Sequence, residues 1–122
     1  MTTMTIDRRT KRSDDRREAL ELYLAAAAAR GGIDAVALGD EDGFLVAGAG
    51  RDYDLGWLAA MGSAFAGRPE EHGALAALGE GLHAAPVPVG ERVMYLAAVG
   101  GGLPPMGETA AALGRILTTR AA

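Results

Sequence analysis

The residues that could perform nucleophilic or acid–base chemistry are few, and none occurs in a recognisable catalytic spacing. The two histidines, His72 and His83, do not form the H-E-x-x-H pattern that places two imidazoles on one face of a helix. Ser63 lies in an apolar stretch without the G-x-S-x-G turn that exposes a nucleophilic serine. We therefore predict that the protein is not an enzyme and has no catalytic or metal-binding residue.

Two further patterns, which bind metal ions or nucleotides in other proteins, are incomplete in this sequence. The acids at 40–42 are adjacent, whereas a calcium loop needs oxygen ligands at alternating positions and a distal glutamate. Gly48 and Gly50 begin a G-x-G-x-x-G pattern, but Tyr53 replaces its third glycine, and the only lysine, Lys11, lies outside any glycine loop. We predict no cofactor and interpret both stretches as turns.

The composition limits the protein class further. Alanine and glycine supply 44 of the 122 residues, and there is no cysteine, which excludes a disulfide framework and a cysteine-based zinc site. The length suits one small domain with a single core. No apolar run approaches the roughly twenty residues of a membrane span, and no signal-peptide pattern precedes residue 19, so we expect a cytoplasmic protein.

Charge is unevenly distributed along the chain. The net charge is −4, but residues 1–18 carry six of the twelve basic residues and only four acids. We predict a disordered basic tail over 1–13 and one domain over 14–120. The remaining chain is acidic, which argues against nucleic acid as a partner, because binding it requires clustered positive charge.

The first half of the domain has the pattern of a helix, a hairpin and a second helix. A helix is predicted from a capping box at Asp15 to Arg30, ending at two glycines, with four residues on its buried face (Leu20, Tyr23, Leu24 and Ala27). Strands are predicted over 33–38 and 44–47, joined by an acidic Asp-Gly turn and followed by glycines that end the second strand. The second helix is predicted over 55–66, capped by Asp52 or Asp54. It is apolar on two adjacent faces, so Trp57 is either a core residue or an interface anchor.

The second half has the pattern of another hairpin and a last helix. Residues 70–81 form either a short helix or a loop, and the strand over 82–89 is placed at a sheet edge because it contains Pro86 and Pro88. A strand follows over 92–99, and a last helix over 106–119 with Met106, Ala110, Leu113 and Leu117 on one face. The predicted fold class is α+β, an antiparallel sheet with helices packed on it, in the order α-β-β-α-β-β-α.

This element order and the residues of the first hairpin resemble the roadblock/LC7 family, in particular its bacterial, MglB-like members. In that family an apolar strand leads into a D-x-D-G turn and then into a second apolar strand with small residues. The corresponding turn here is Asp40-Glu41-Asp42-Gly43, between the apolar stretches 33–38 and 44–47. The resemblance extends over about residues 15–118. Family members have three strands after the second helix, so residues 70–81 are also a candidate for a further strand.

The resemblance implies a roadblock/profilin-like α/β sandwich that acts as a homodimeric scaffold without catalytic residues. In the family, second helices pair and sheets can join edge to edge, and bacterial members act on small Ras-like GTPases. The expected partners are therefore a second copy of this chain and a small Ras-like GTPase. The candidate dimer or partner interface is the second helix, with Leu55, Trp57, Leu58, Met61 and Phe65. The alternative is a small-ligand sensor of PAS, longin or profilin type, with a pocket between sheet and helix.

Overall fold

The computed structural model describes residues 8–50, 52–67 and 81–118, with side chains from Asp15 onward. These residues form three helices and a four-stranded antiparallel sheet in the strand order β2-β1-β4-β3. Their bounds are α1 (Arg8–Gly31), β1 (Ala35–Gly39), β2 (Leu45–Gly50), α2 (Leu55–Gly67), β3 (His83–Val89), β4 (Arg92–Val99) and α3 (Met106–Thr118). The predicted fold class and element order are confirmed.

Large apolar side chains fill the space between one face of the sheet and helices α1 and α3. Leu20 and Leu24 of α1 and Leu113 of α3 are almost completely buried there, against strand residues of the same face (Val36, Leu38, Val87, Met94 and Leu96). Tyr23, Met106, Ala110 and Leu117 pack on this core while partly exposed. The buried faces predicted for α1 and α3 are therefore confirmed.

Helix α2 covers the opposite face of the sheet, where the strands present small residues. It contacts all four strands. Ala35, Ala37 and Ala97 form the floor beneath Leu58 and Ala59. A Cβ at Gly62 would lie 2.9 Å from the Ala97 Cβ, so the helix approaches the sheet at the distance that only small residues allow.

The acidic turn between β1 and β2 is held by one aspartate. The Asp40 carboxylate accepts hydrogen bonds from the main-chain N–H groups of Asp42, at 2.9 Å, and Phe44, at 3.0 Å. Gly43 has φ +87°, which a glycine adopts without strain. The predicted turn is confirmed, and its first acid has a structural role.

Several predicted boundaries differ from the structure, and the first strand, predicted over 33–38, spans Ala35–Gly39. Helix α1 begins at Arg8, so the capping box at Asp15 and the tail up to residue 13 are wrong where they overlap this helix. Strand β2 continues through Gly50, although the glycines were expected to end it at residue 47. Residues 70–80 and the tail over 1–7 lie outside the described part of the chain, and the domain bounds 14–120 stay a prediction. None of the described helices is long and apolar enough to cross a membrane.

Candidate functional site

Of the five predicted interface residues, Leu55 and Leu58 hold α2 on its own sheet, and Phe65 is buried. Leu58 is 1% exposed and Phe65 is 8% exposed. Leu55 is partly buried against the small-residue core under the helix, where a Cβ at Gly48 would lie 3.1 Å from its Cδ1 atom. Within a single chain these side chains therefore stabilise the fold, and a partner helix would meet other residues first.

The other two predicted interface residues, Trp57 and Met61, lie on the outer surface of α2. Trp57 is 55% exposed, so its interpretation as a core residue is wrong. Met61 is half-buried and follows Trp57 by four residues, which places both on one stripe of the helix with Ala60 and Ala64. We call Trp57, Ala60, Met61 and Ala64 the α2 stripe. Its outer surface is apolar throughout.

Helix α2 carries no charged residue over its length, although one of its sides faces solvent. A surface helix of a globular protein normally has charged or polar residues opposite its apolar face. Ser63, half-buried, is its only hydrogen-bonding side chain apart from the Trp57 indole. This pattern is typical of a helix that is covered on both sides.

The loop before α2 fixes the position of Trp57. The Asp54 carboxylate accepts a hydrogen bond from the Trp57 N–H at 3.0 Å, and the Asp54 carbonyl accepts one from the Leu58 N–H at 3.0 Å. Asp54 is therefore the N-cap of α2. Asp52, the other predicted cap, has φ +66°, a left-handed conformation that aspartate tolerates better than most residues.

The candidate chemical residues are not brought together. His83 is exposed on β3, and Ser63 lies on α2, while His72 falls outside the described residues. In the described part of the chain no group of three or more histidine, aspartate or glutamate side chains is arranged to hold a metal ion.

A groove between α1 and β2 was not expected from any sequence pattern. It is lined by Ala25, Ala28, Ala29, Ile33, Asp34, Ala49, Gly50, Asp52 and Tyr53. Most of these are small or aliphatic residues, which carry no chemical signature, and they come from segments that are distant in sequence. Only the fold brings them together.

Comparison with known proteins identifies the fold. No protein-family model matches this sequence, and no curated protein matches it significantly. Among solved structures, the gliding protein MglB from Thermus thermophilus is similar with a TM-score of 0.53 at 19% identity, over 83% of this chain and 90% of that one.

Two more MglB structures are similar to this chain in fold, again at low sequence identity. Myxococcus xanthus MglB gives a TM-score of 0.54 at 16% identity, over 95% of this chain and 94% of that one. An MglB with a tetrameric arrangement gives a TM-score of 0.55 at 22% identity, over 83% of this chain and 89% of that one. At these identities the likeness is one of fold, and it confirms the resemblance to the roadblock architecture that MglB proteins share.

Proposed function

We propose that this chain is a homodimeric regulatory or scaffold protein that binds, and modulates, a small Ras-like GTPase. The observation that carries the proposal is the uncharged outer surface of α2, with Trp57 55% exposed. The MglB-like fold supports the same function at a coarser level, because one MglB neighbour is a gliding protein and another has a tetrameric arrangement.

The α2 stripe suits pairing with the same helix of a second copy. Alanines at 60 and 64 allow two helix backbones to approach closely, and Trp57 and Met61 provide large apolar side chains beside them on the same stripe. A two-fold interface uses the same surface on both subunits, so one stripe is sufficient for both halves. Tryptophan is also enriched among residues that contribute most to binding.

The dimer is tested by light scattering coupled to size-exclusion chromatography. We expect a dimeric wild type, and monomers for Trp57→Asp and Met61→Asp, because both place a carboxylate in an apolar interface. Leu22→Asp is the matched control, since Leu22 is 65% exposed on α1, on the other side of the sheet, and should stay dimeric. A monomeric wild type contradicts this part of the proposal.

GTPase binding is tested separately with a purified bacterial small Ras-like GTPase, loaded with GDP or with a non-hydrolysable GTP analogue. We expect immobilised wild-type protein to bind one nucleotide state more tightly than the other, because regulators of such switches bind a single conformation best. If the protein binds the GTPase in neither nucleotide state, the proposed GTPase interaction is contradicted, and the result on the dimer is unaffected. The rate of GTP hydrolysis with and without this chain distinguishes activation from tethering.

The alternative function, sensing of a small ligand, needs a pocket between the sheet and a helix. A Cβ at Gly39 would lie 3.1 Å from the Ala59 carbonyl oxygen, and a Cβ at Gly62 would lie 2.9 Å from the Ala97 Cβ. The alanine and glycine content therefore produces close packing beneath α2 instead of a pocket. Beneath α2, therefore, no described feature favours the sensor over the scaffold.

A further inference from the structure

A cavity of about 350 Å³ lies between the last turns of α1 and the loop that leads into α3. Its lining consists of Tyr23, Ala27, Arg30 and Gly31 on one side and Gly102, Leu103, Pro104, Pro105 and Glu108 on the other. These residues, and those next to them in the sequence, all belong to the described part of the chain, and among them only Arg30 and Glu108 carry a charge. The volume falls within the range of small-molecule sites.

The two opposite charges border this cavity without pairing with each other. Within the described part of the chain, neither Arg30 nor Glu108 forms an ion pair or a side-chain hydrogen bond. Each is stabilised by its own helix instead, because Arg30 lies in the last turn of α1 and Glu108 in the first turn of α3, where the helix dipoles favour these signs. The cavity therefore presents one cation and one anion to a ligand.

The remainder of the lining is mostly apolar and continuous with the core. Ala27 and Pro104 are buried. Tyr23 and Leu103 are half-buried and pack against the core between the helices and the sheet. The Tyr23 phenol has no hydrogen-bond partner among the described residues. A lining of this kind suits an aliphatic or aromatic group that has a charged end of each sign beside it.

We propose that this cavity binds a free α-amino acid with an apolar side chain. The Arg30 guanidinium binds the carboxylate of the ligand, and the Glu108 carboxylate binds its ammonium group. The apolar side chain lies on Leu103, Pro104 and the Tyr23 ring. A free amino acid carries both charges on one carbon atom, whereas the two ends of a peptide are separate. The site lies on the α1 and α3 side of the sheet, opposite α2, so it adds to the proposed scaffold function without depending on it.

The ligand class is tested by isothermal titration calorimetry of the full chain with L-phenylalanine and with analogues that each lack one group. Hydrocinnamate has no ammonium group, phenethylamine has no carboxylate, and glycine has no side chain. We expect saturable binding of L-phenylalanine in the millimolar range or tighter, because both charged side chains are exposed. Each analogue should bind more weakly by about fivefold or more.

Charge variants assign each half of the ligand to its residue. Arg30→Gln should abolish the preference for L-phenylalanine over phenethylamine, and Glu108→Gln should abolish the preference over hydrocinnamate, because each variant removes the partner of the missing group. Arg17→Gln and Glu18→Gln are the matched controls, since both residues are exposed on α1 and do not line the cavity. They should leave the affinity for L-phenylalanine unchanged.

A pair of glycine variants tests the position of the ligand. A Cβ at Gly102 would have no neighbouring atom within 4 Å, and Gly102 lines the cavity, so Gly102→Phe should block binding without disturbing the fold. A Cβ at Gly107 would be equally free, but Gly107 is outside the lining, and Gly107→Phe should bind as the wild type does. Circular dichroism checks that both variants are folded.

Three results would overturn the proposal: no saturable binding of L-phenylalanine, equal binding of L-phenylalanine and its analogues, or equal weakening by the lining variants and their controls. If folded Gly102→Phe binds L-phenylalanine with wild-type affinity, the ligand occupies another site and the proposal is wrong.

Discussion

At the scale of single residues, the position of each glycine and alanine determines what it contributes. Gly39, Gly48 and Gly62 lie where α2 meets the sheet, and a Cβ at each would be within 3.1 Å of a neighbouring atom. A Cβ at Gly114 of α3, in contrast, would have no neighbouring atom within 4 Å. The high glycine content thus includes positions set by packing and positions where glycine only lowers helix stability.

This contrast predicts opposite effects of one substitution at two helix positions. Gly114→Ala should raise the free energy of unfolding by up to about 1 kcal/mol, because alanine has the higher helix propensity and nothing crowds it. Gly62→Ala gains the same propensity but forces its Cβ against Ala97, which costs about 1–3 kcal/mol. We therefore expect Gly62→Ala to be the less stable variant in urea denaturation. Equal stabilisation of both variants would show that α2 lies farther from the sheet.

At the scale of elements, the sequence is sufficient to predict the bounds of a helix or strand where its hydrophobic pattern agrees with its environment in the fold. β4 has the predicted bounds, and α2 ends within one residue of them, because both have uninterrupted apolar patterns. The start of α1 was missed because Asp15 has the spacing of a cap, yet no glycine or proline interrupts the segment from Arg8 onward. The end of β2 was missed because Gly48 was interpreted as a turn residue, whereas it is a strand residue that makes room for Leu55.

The candidate site on α2 was likewise predictable only in part. The second helix was identified from its apolar faces, but hydrophobicity alone cannot tell which face packs on the sheet. Leu58 and Phe65 are buried, and Trp57 is exposed, because the register of α2 on the small-residue floor decides the orientation. The groove was not predictable, since its alanines resemble those of any helix.

The cap of α2 gives a prediction for this element. Asp54→Ala removes the acceptor of the Trp57 N–H and should lower the free energy of unfolding by about 0.5–2 kcal/mol. Asp54→Asn keeps an acceptor oxygen and should be close to wild type, which serves as the control. Chemical denaturation followed by circular dichroism measures both variants, and an equal loss for alanine and asparagine would contradict the capping role.

At the scale of the whole molecule, the two faces of the sheet are covered differently. α1 and α3 cover one face, where the side chains are large, whereas α2 alone, among the described helices, covers the other, where the strands present alanines. A single uncharged helix leaves an apolar outer surface there, and the acidic body carries its charges elsewhere. The molecule thus has, on the α2 side of the sheet, one surface suited to self-association.

If the α2 stripe forms the dimer, thermal stability must depend on protein concentration. Association stabilises the folded dimer by mass action, so a hundredfold rise in concentration should raise the wild-type Tm by about 5 °C or more. Trp57→Asp should show the same Tm at every concentration, because its monomers unfold independently of one another. Leu22→Asp should keep the wild-type slope, since its substitution lies outside the stripe. Differential scanning calorimetry over this range tests the prediction, and a concentration-independent Tm for the wild type would place its stability within the single chain.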